Sequence, residues 1–165
     1  MAESFSFDVV SDFDRQELVN TLDQVKREIS QRYDLKGTDT SVDLEKDNIF
    51  IITNSELTLN AVNDIIRQKA IKRNLSLKIF DYGDIEIVSG NRIKQTILLK
   101  QGIKQEIAKK ISKNIRYQIK KINFSINGET LRVASKSKND LQLAIKIVSE
   151  LEESLNISLK ASNFR

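Results

Sequence analysis

The sequence predicts an α+β protein built from two similar units, each an antiparallel sheet with two helices packed on one face. Two observations predict this class. The chain repeats itself along its length, and the apolar residues within each repeat switch between the period of a strand and the period of a helix. The 165 residues suit one ordinary domain or two small ones, and 39% hydrophobic with 30% charged residues is typical of packed domains.

The repeat has an offset of 82 residues. At that offset, residues 74–78 fall on residues 156–160, which have nearly the same sequence. Several apolar positions of the first copy also fall on apolar or small residues of the second copy, namely Ile49, Ile51, Leu59, Val62, Ile65 and Ile66. A match that runs through strand, cap, helix and closing strand predicts two related units.

The first unit is predicted to contain a strand, a helix, two strands, a helix and a closing strand. The strand-like segments lie at residues 5–9, 42–44, 49–53 and 75–79. The first helix begins at Asp14, where Glu17 completes a capping box, and its apolar face continues to Tyr33. The second helix follows Ser55, whose hydroxyl suits the N-cap position.

The second unit repeats this order with its own turn and cap signals. Its strand-like segments lie at residues 97–99, 122–126, 131–133 and 157–161, and isoleucines from 103 to 115 lie on one helix face. Asn127-Gly128 predicts a hairpin turn between the two middle strands. Ser137 is the predicted cap of the last helix, with Asp140 three residues further on.

The order strand, helix, strand, strand, helix, strand is the ferredoxin-like arrangement. It leaves one face of each sheet open, and RNA-binding domains of this topology hold their ligand on such a face. The predicted boundaries are 1–82 for the first unit, 83–92 for a connector with a short strand, and 93–165 for the second, basic unit.

The chain contains no Cys, His, Pro or Trp. A disulfide, a thiolate nucleophile, a Ser-His-Asp triad and a His- or Cys-ligated metal are therefore excluded. No pair of its five glycines has the spacing of a P-loop, and no GxGxxG occurs, which argues against the common ATP and dinucleotide motifs as explanations of function. A hard-cation site built only from Asp and Glu stays open, and catalysis would have to use carboxylates, Lys, Ser, Thr or Tyr. Our prediction is a non-enzymatic protein with no cofactor and no metal.

The chain also lacks the sequence signals of export and of membrane insertion. Residues 1–4 are polar and acidic overall and no apolar segment of a secretory signal follows them. The longest purely apolar run is Ile49–Ile52, whereas a membrane span needs roughly 20 residues. These features predict a cytoplasmic protein with no membrane partner.

The net charge of +4 hides a division of charge along the chain. Residues 1–90 carry 11 basic and 17 acidic residues, whereas residues 91–165 carry 16 and 6. From Arg92 to Lys138, 13 basic residues stand against Glu106 and Glu129 alone. This asymmetry predicts a polyanionic partner for the second half. The alternative is a Lys-rich solvated surface.

Two neighbouring segments of the basic half are candidates for binding phosphate. Gly102, which follows Lys100 and Gln101, lies between a strand and a helix, where a glycine lets phosphate approach unpaired backbone N–H groups. An ordinary tight turn is the alternative there. The following helix carries a basic stripe opposite its isoleucines, formed by Lys109, Lys113, Arg116 and Lys120. A solvated helix face is the alternative for the stripe.

A third candidate segment spans the end of a strand and the start of the last helix. By strand alternation, Arg132 projects from the open face of the second sheet. Lys136 and Lys138 lie near the helix start, where a positive charge opposes the helix dipole. These lysines either increase solubility at the helix start or contact an anionic ligand.

Ordered motifs along nearly the whole chain resemble those of one known family. They are Ser6–Ser11, Arg27-Glu28, Arg32–Gly37, Lys72-Arg73, Ser89-Gly90, Lys100–Ile103, Ala108–Ile111, Arg132-Val133, Lys136–Gln142 and Asn163–Arg165. On these motifs the chain resembles the YajQ family of small bacterial proteins, which usually has Gly where Ser135 stands. The resemblance implies two ferredoxin-like domains with exchanged N-terminal strands, so that strand 5–10 pairs in the sheet of the second unit.

The resemblance also implies nucleotide binding without catalysis. Family members are described as binding nucleic acid, and some as cyclic di-GMP receptors that act on transcription. The implied partners are a cyclic dinucleotide, RNA or tRNA, with a transcription regulator as a further partner. The family motifs add Asp8, Arg32 and Lys36 as weaker candidate ligand residues.

The residue patterns and the resemblance together predict an anion site on a basic surface between the two units. The candidate phosphate-binding residues are Lys100, Gln101, Gly102, Lys109, Lys110, Arg132, Lys136 and Lys138. The functional prediction is a non-enzymatic regulatory protein that binds the phosphates of a cyclic dinucleotide of the cyclic di-GMP type or of RNA. The alternatives are a protein–protein adaptor with an incidental basic face and an uncharacterised enzyme.

Overall fold

The computed structural model describes residues 4–165. In chain order its elements are β1 (Phe5–Val10), α1 (Arg15–Gln31), β2 (Ser41–Glu45), β3 (Asn48–Thr53), α2 (Glu56–Lys72), β4 (Phe80–Val88), β5 (Arg92–Leu99), α3 (Gln105–Gln118), β6 (Asn123–Asn127), β7 (Thr130–Ser135), α4 (Lys138–Leu155) and β8 (Lys160–Ser162). Short 3-10 helices lie at Tyr33–Leu35 and Leu77–Ile79.

These elements form two compact units. One unit is continuous in sequence, Phe13–Lys100, and we call it the continuous unit. The other joins the chain up to Asp12 to Gln101–Arg165, and we call it the split unit. Each unit contains a four-stranded antiparallel sheet and two of the α-helices α1 to α4, so the predicted α+β class is confirmed.

In the split unit the strand order is β6-β7-β1-β8. β1, the first strand of this unit in the sequence, lies between β7 and β8. β6, the second, lies at an edge, as in a ferredoxin-like sheet. Alternate residues of β1 and β7 enter the core, for example Phe7 and Leu131, which are fully buried beside apolar residues of α3 and α4. The other face of the sheet carries the polar residues between them.

In the continuous unit the strand order is β2-β3-β5-β4. Here β5, which comes last in the unit, occupies the central position that β1 occupies in the split unit. Ile97 of β5 and Ile49 of β3 lie opposite each other and are both fully buried. The strand exchange implied by the family resemblance is therefore present: β1 pairs with β7 and β8, far away in sequence.

The compact units differ from the contiguous ranges 1–82 and 93–165 that the repeat suggests. Because β1 belongs to the split unit and β5 to the continuous unit, the charge is distributed differently in space from the way it is distributed along the chain. Residues 13–100 carry 14 basic and 14 acidic residues, and the remaining residues carry 13 and 9. The continuous unit is neutral overall and the excess positive charge lies in the split unit.

The offset of 82 residues relates the backbone of the two units closely. Adding 82 to the first and last residue numbers of β2 gives those of β6, and the same holds for β3 and β7. Asn74 and Asn156, which the offset also relates, both have positive φ angles, 60° and 51°, just after a helix. Asparagine tolerates this left-handed conformation, which ends a helix.

The predicted caps are present at three helix starts. The side chains of Asp14, Ser55 and Ser137 each accept a hydrogen bond from the backbone N–H three residues further along. The capping box at Asp14 is only half formed, because the Glu17 carboxylate accepts a hydrogen bond from Arg73 at 3.2 Å instead of reaching back to the cap.

Some predicted bounds change in the structure. The closing segment 75–79 contains a 3-10 helix, and the strand begins at Phe80. Residues 84–88 do not form a separate connector strand, since they continue β4 beyond a bulge between Tyr82 and Ile85. At this bulge a Cβ on Gly83 would lie 2.7 Å from the Thr96 carbonyl oxygen, so the close strand approach requires glycine.

Candidate functional site

The open face of the split unit's sheet has a polar row across all four strands. Strand register aligns Ser125, Arg132, Asp8 and Ser162, one from each strand in the order β6, β7, β1, β8. Arg132 Nε donates to Asp8 Oδ1 at 3.0 Å, and Asn163 Nδ2 donates to Asp8 Oδ2 at 2.9 Å. The Asp8 side chain is 6% exposed, whereas the Arg132 side chain is 33% exposed. Asp8 therefore holds Arg132 in place, and part of the Arg132 side chain stays open to solvent.

The protonation of Asp8 reflects this arrangement. Burial raises the pKa of the Asp8 carboxyl, but the hydrogen bonds from Arg132 and Asn163, together with the positive charges of Arg132 and Arg165, outweigh burial. The pKa therefore lies below its ordinary value of 3.8, and the carboxylate is ionised at neutral pH. Asp8, a weaker candidate ligand residue in the sequence, is placed as the partner of Arg132 and would repel a phosphate approaching it directly.

The loop from β7 to α4 and the first residue of α4 carry two more candidates. Lys138 Nζ lies 4.9 Å from the centre of the Phe5 ring, on the core-facing side of β1. Lys136 and Lys138 are exposed on either side of the cap residue Ser137. Ser135, which is 3% exposed, fixes the loop because its hydroxyl donates to the Lys121 carbonyl oxygen at 3.2 Å and accepts from the Ser137 N–H at 3.1 Å. The loop therefore presents two cations at the positive end of the α4 dipole, an arrangement that suits an anion.

Gly102 has a different local role from the phosphate cradle that its position suggests. Its N–H donates to the Ser11 carbonyl oxygen at 2.6 Å, and the next N–H, of Ile103, donates to the Glu129 carbonyl oxygen at 2.8 Å. Both N–H groups are therefore occupied within the split unit, and α3 begins only at Gln105. The glycine is required because its φ is +83° and because a Cβ there would collide with the Glu129 carboxylate.

We expect Gly102→Ala to destabilise the protein by about 1–2 kcal/mol, since alanine is strained at this positive φ. Chemical denaturation measures the change. Gly37→Ala is the matched control, because Gly37 has a similar φ of +75° but a Cβ added there would meet nothing within 4 Å. A loss for Gly102→Ala no larger than that for Gly37→Ala would show that the contact with Glu129 contributes nothing.

The remaining candidates fall in three places. Lys100 ends the continuous unit, where its N–H donates to the Ile79 carbonyl oxygen at 2.7 Å, while Gln101 is exposed at the start of the split unit. Lys109 and Lys110 are exposed on α3. Lys109 lines a groove of about 440 Å³ beside β6, together with Lys113, Arg116 and Phe124 among others. This groove was not predicted, because the sequence showed the basic stripe of α3 but not its neighbouring strand.

Arg32 and Lys36 belong to the continuous unit. The Arg32 guanidinium donates two hydrogen bonds to Asp34, of 3.0 and 2.7 Å, which lower the pKa of that carboxyl. Lys36 lies 6.0 Å from the exposed Tyr33 ring and lines a pocket of about 280 Å³ with Lys26. Arg32 is therefore engaged locally, while Lys36 contributes positive charge to a separate pocket.

Sequence reasoning missed the contribution of the chain end to the site. Asn163 supplies a hydrogen bond to Asp8, and the Arg165 backbone pairs with Ser6 through bonds of 3.1 and 3.0 Å. This pairing extends the contact between β1 and the C-terminal segment beyond β8. The terminal motif Asn163–Arg165 was a signal that could have identified these residues, since it is one of the segments that carry the family resemblance.

The candidate site consists of charged and hydrogen-bonding side chains. Within residues 4–165, no group of three or more acidic side chains is placed to hold a metal ion. Among the described helices, none is both long enough and apolar enough to cross a bilayer. Arginine, lysine and serine side chains near a helix start are groups that bind phosphate.

Comparison with known proteins agrees with this chemistry. The family described as "Nucleotide-binding protein YajQ-like" matches residues 5–165. Proteins named "nucleotide-binding protein" from Prochlorococcus marinus strains MIT 9301 and MED4 are 94% and 79% identical to the chain, and one from Synechococcus sp. strain CC9605 is 54% identical. Each alignment covers 100% of both chains. The chain therefore belongs to the YajQ-like family of nucleotide-binding proteins.

Proposed function

We propose that this protein binds the phosphate groups of a ribonucleotide ligand, RNA or a cyclic dinucleotide of the cyclic di-GMP type, and does so without catalysis. The observations that carry the proposal are the partly exposed Arg132, held by buried Asp8 on the open face, and the exposed Lys136 and Lys138 at the start of α4. A guanidinium held in place by a carboxylate and cations at a helix N-terminus are each groups that favour a phosphodiester. The names of the relatives support nucleotide binding as the family property.

The composition of the open face indicates how recognition would occur. The polar row contains Ser125, Arg132, Asp8 and Ser162, with no aromatic side chain on which a base could stack. Stacking on aromatic residues is what gives many single-stranded RNA platforms their affinity. Binding here would depend on phosphate contacts, with arginine also able to pair with a guanine edge.

A binding panel at two salt concentrations tests the proposal. The ligands are cyclic di-GMP, GMP, a single-stranded RNA oligonucleotide and tRNA, at about 50 and about 200 mM salt. For about three phosphate contacts to single-stranded RNA we expect the affinity to fall about twentyfold across this range. Discrete binding of cyclic di-GMP with weak RNA binding would favour a signalling receptor that acts on a transcription regulator. Strong RNA and tRNA binding would favour an RNA-binding protein.

The variants Lys136→Ala and Lys138→Ala test the site itself. Each is expected to weaken ligand binding about threefold to tenfold, since each removes one exposed cation at the start of α4. Lys146→Ala is the matched control, because Lys146 is an exposed lysine further along α4. If Lys136→Ala and Lys138→Ala bind as tightly as Lys146→Ala does, the site assignment is wrong. If no ligand of the panel binds, the proposed function is wrong.

A further inference from the structure

A basic groove in the split unit lies apart from the polar row. It runs between α3 and β6 and is lined by Lys109, Ser112, Lys113, Arg116, Phe124 and Ile126. Its charged side chains are all cations, and its volume is about 440 Å³. The Arg116 guanidinium lies 4.9 Å from the centre of the Phe124 ring, so this cation is fixed over an apolar floor.

One wall of the groove is the edge of a sheet. In the order β6-β7-β1-β8, the strand β6 has a paired neighbour on one side only among residues 4–165. The β6–β7 hairpin has a two-residue loop between Asn127 and Thr130, with Gly128 at φ +62° in its first position. This is the geometry of a type II′ turn, whose flanking residues form a hydrogen-bonded pair.

The hairpin register shows which backbone groups face outward. Hydrogen-bonded and non-hydrogen-bonded pairs alternate along antiparallel strands. Counting from the pair Asn127–Thr130, the pair Ser125–Arg132 is hydrogen-bonded, whereas Phe124 and Ile126 lie in the alternate positions. The N–H and C=O groups of Phe124 and Ile126 therefore point away from β7, into the groove. Ile126 also leaves 42% of its surface exposed there.

We propose that this groove docks an extended acidic peptide of a partner protein, which adds as a further strand to the edge of β6. The outward N–H and C=O groups of Phe124 and Ile126 would pair with the peptide backbone, as in other cases of strand addition. Alternate peptide side chains would face α3, where acidic residues meet Lys113 and Arg116. Amide pairing at the spacing of a strand matches a peptide and does not match a nucleic-acid backbone, which lacks alternating N–H donors.

The probe is a fluorescent ten-residue peptide in which Glu and Thr alternate, measured by polarisation with the full chain. A peptide of the same composition with its five Glu and five Thr in separate blocks is the control for net charge. Two further peptides have the alternating sequence with N-methylated backbone amides, one at every Glu and the other at every Thr. Because only alternate N–H groups face β6, one of these two is expected to lose binding and the other to retain it. The control peptide with separate Glu and Thr blocks is expected to bind at least about fivefold more weakly than the alternating peptide.

Variants of the groove test the same surface from the protein side. Lys113→Glu reverses a charge and is expected to weaken the alternating peptide about tenfold. Ile126→Pro removes an outward N–H without removing a ladder bond to β7, and is expected to abolish detectable binding. Lys146→Glu, on α4, is the matched charge reversal and should change the affinity by less than about twofold. Thermal unfolding of each variant shows that it remains folded.

Three outcomes would overturn the proposal. If the alternating peptide and the peptide with separate Glu and Thr blocks bind equally, the attraction between peptide and groove is only electrostatic. Loss of RNA binding but not of peptide binding in Lys113→Glu would assign the groove to nucleic acid. A shift from dimer to monomer in Lys113→Glu, by sedimentation, would make a second copy of the chain the occupant. Lys136→Ala should leave peptide binding unchanged, which separates this proposal from the proposed nucleotide function.

Discussion

Phe7→Ala is expected to lower the free energy of unfolding of the split unit by about 4 kcal/mol, the largest effect that we expect from a single substitution. Phe7 is fully buried at the centre of β1 and packs in the core with Leu131 and Val133 of β7. Removing its ring leaves a cavity between the sheet and the helices, and the well-paired strands around it cannot close that cavity.

The location of the loss tests the strand exchange directly. Hydrogen exchange should show faster opening in residues 101–165 and little change in residues 13–100. Ile97→Ala is the matched variant, because Ile97 is fully buried in the equivalent central strand β5. It should cost about 3 kcal/mol and accelerate exchange in residues 13–100 instead. The reverse pattern in the two variants would mean that β1 and β5 pair within contiguous units.

Arg132→Ala is expected to lower stability by about 3 kcal/mol at neutral pH. The substitution leaves the buried, ionised Asp8 with only the hydrogen bond from Asn163. An uncompensated buried carboxylate costs more than the salt bridge itself contributes, so the double variant Asp8→Asn/Arg132→Ala should be more stable than Arg132→Ala alone. Urea denaturation of the three proteins measures this coupling. Additive losses in the double variant would contradict it.

The effect of Arg132→Ala should also depend on pH. In the wild type the pKa of Asp8 is lowered below 3.8, so Asp8 stabilises the fold above that pH, and this contribution disappears as the pH falls through the lower pKa. In the variant the lowering effect of Arg132 is lost, so the pKa of Asp8 is expected to be higher than in the wild type, and acidification neutralises its carboxylate sooner. The difference between the two proteins should therefore shrink from about pH 7 to about pH 3, as measured by denaturation at each pH. A constant difference would show that Asp8 is not the cause.

The local elements of this fold could be predicted because their signals are local. Ser55 and Ser137 cap helices through a backbone N–H three residues away, and Gly128 sets the turn of the β6–β7 hairpin. The pairing of β1 could not be derived from periodicity. Alternation in residues 5–9 predicts a strand with one apolar face, but it holds no information about which sheet receives that face. Only the family resemblance implied the exchange.

The candidate site was predictable in part for the same reason. Strand alternation correctly placed Arg132 on the face opposite Leu131 and Val133. Its pairing with Asp8 depends on the exchanged strand and on the register between β1 and β7, so the residues alone did not predict it. For Gly102 the sequence predicted a free N–H that could meet a phosphate. In the structure this N–H donates to the Ser11 carbonyl oxygen, and no motif near residue 102 indicates that contact.

The exchanged strand has a consequence for how the protein folds during synthesis. Asp8 bonds to Arg132 across 124 residues of sequence, so β1 leaves the ribosome long before its partner β7 exists. Residues 13–100 hold a complete core and are able to fold first, while the apolar face of β1 waits unpaired. The split unit closes last, because β1 is synthesised well before the other strands of that unit, and we expect slow folding with a period of exposure to chaperones.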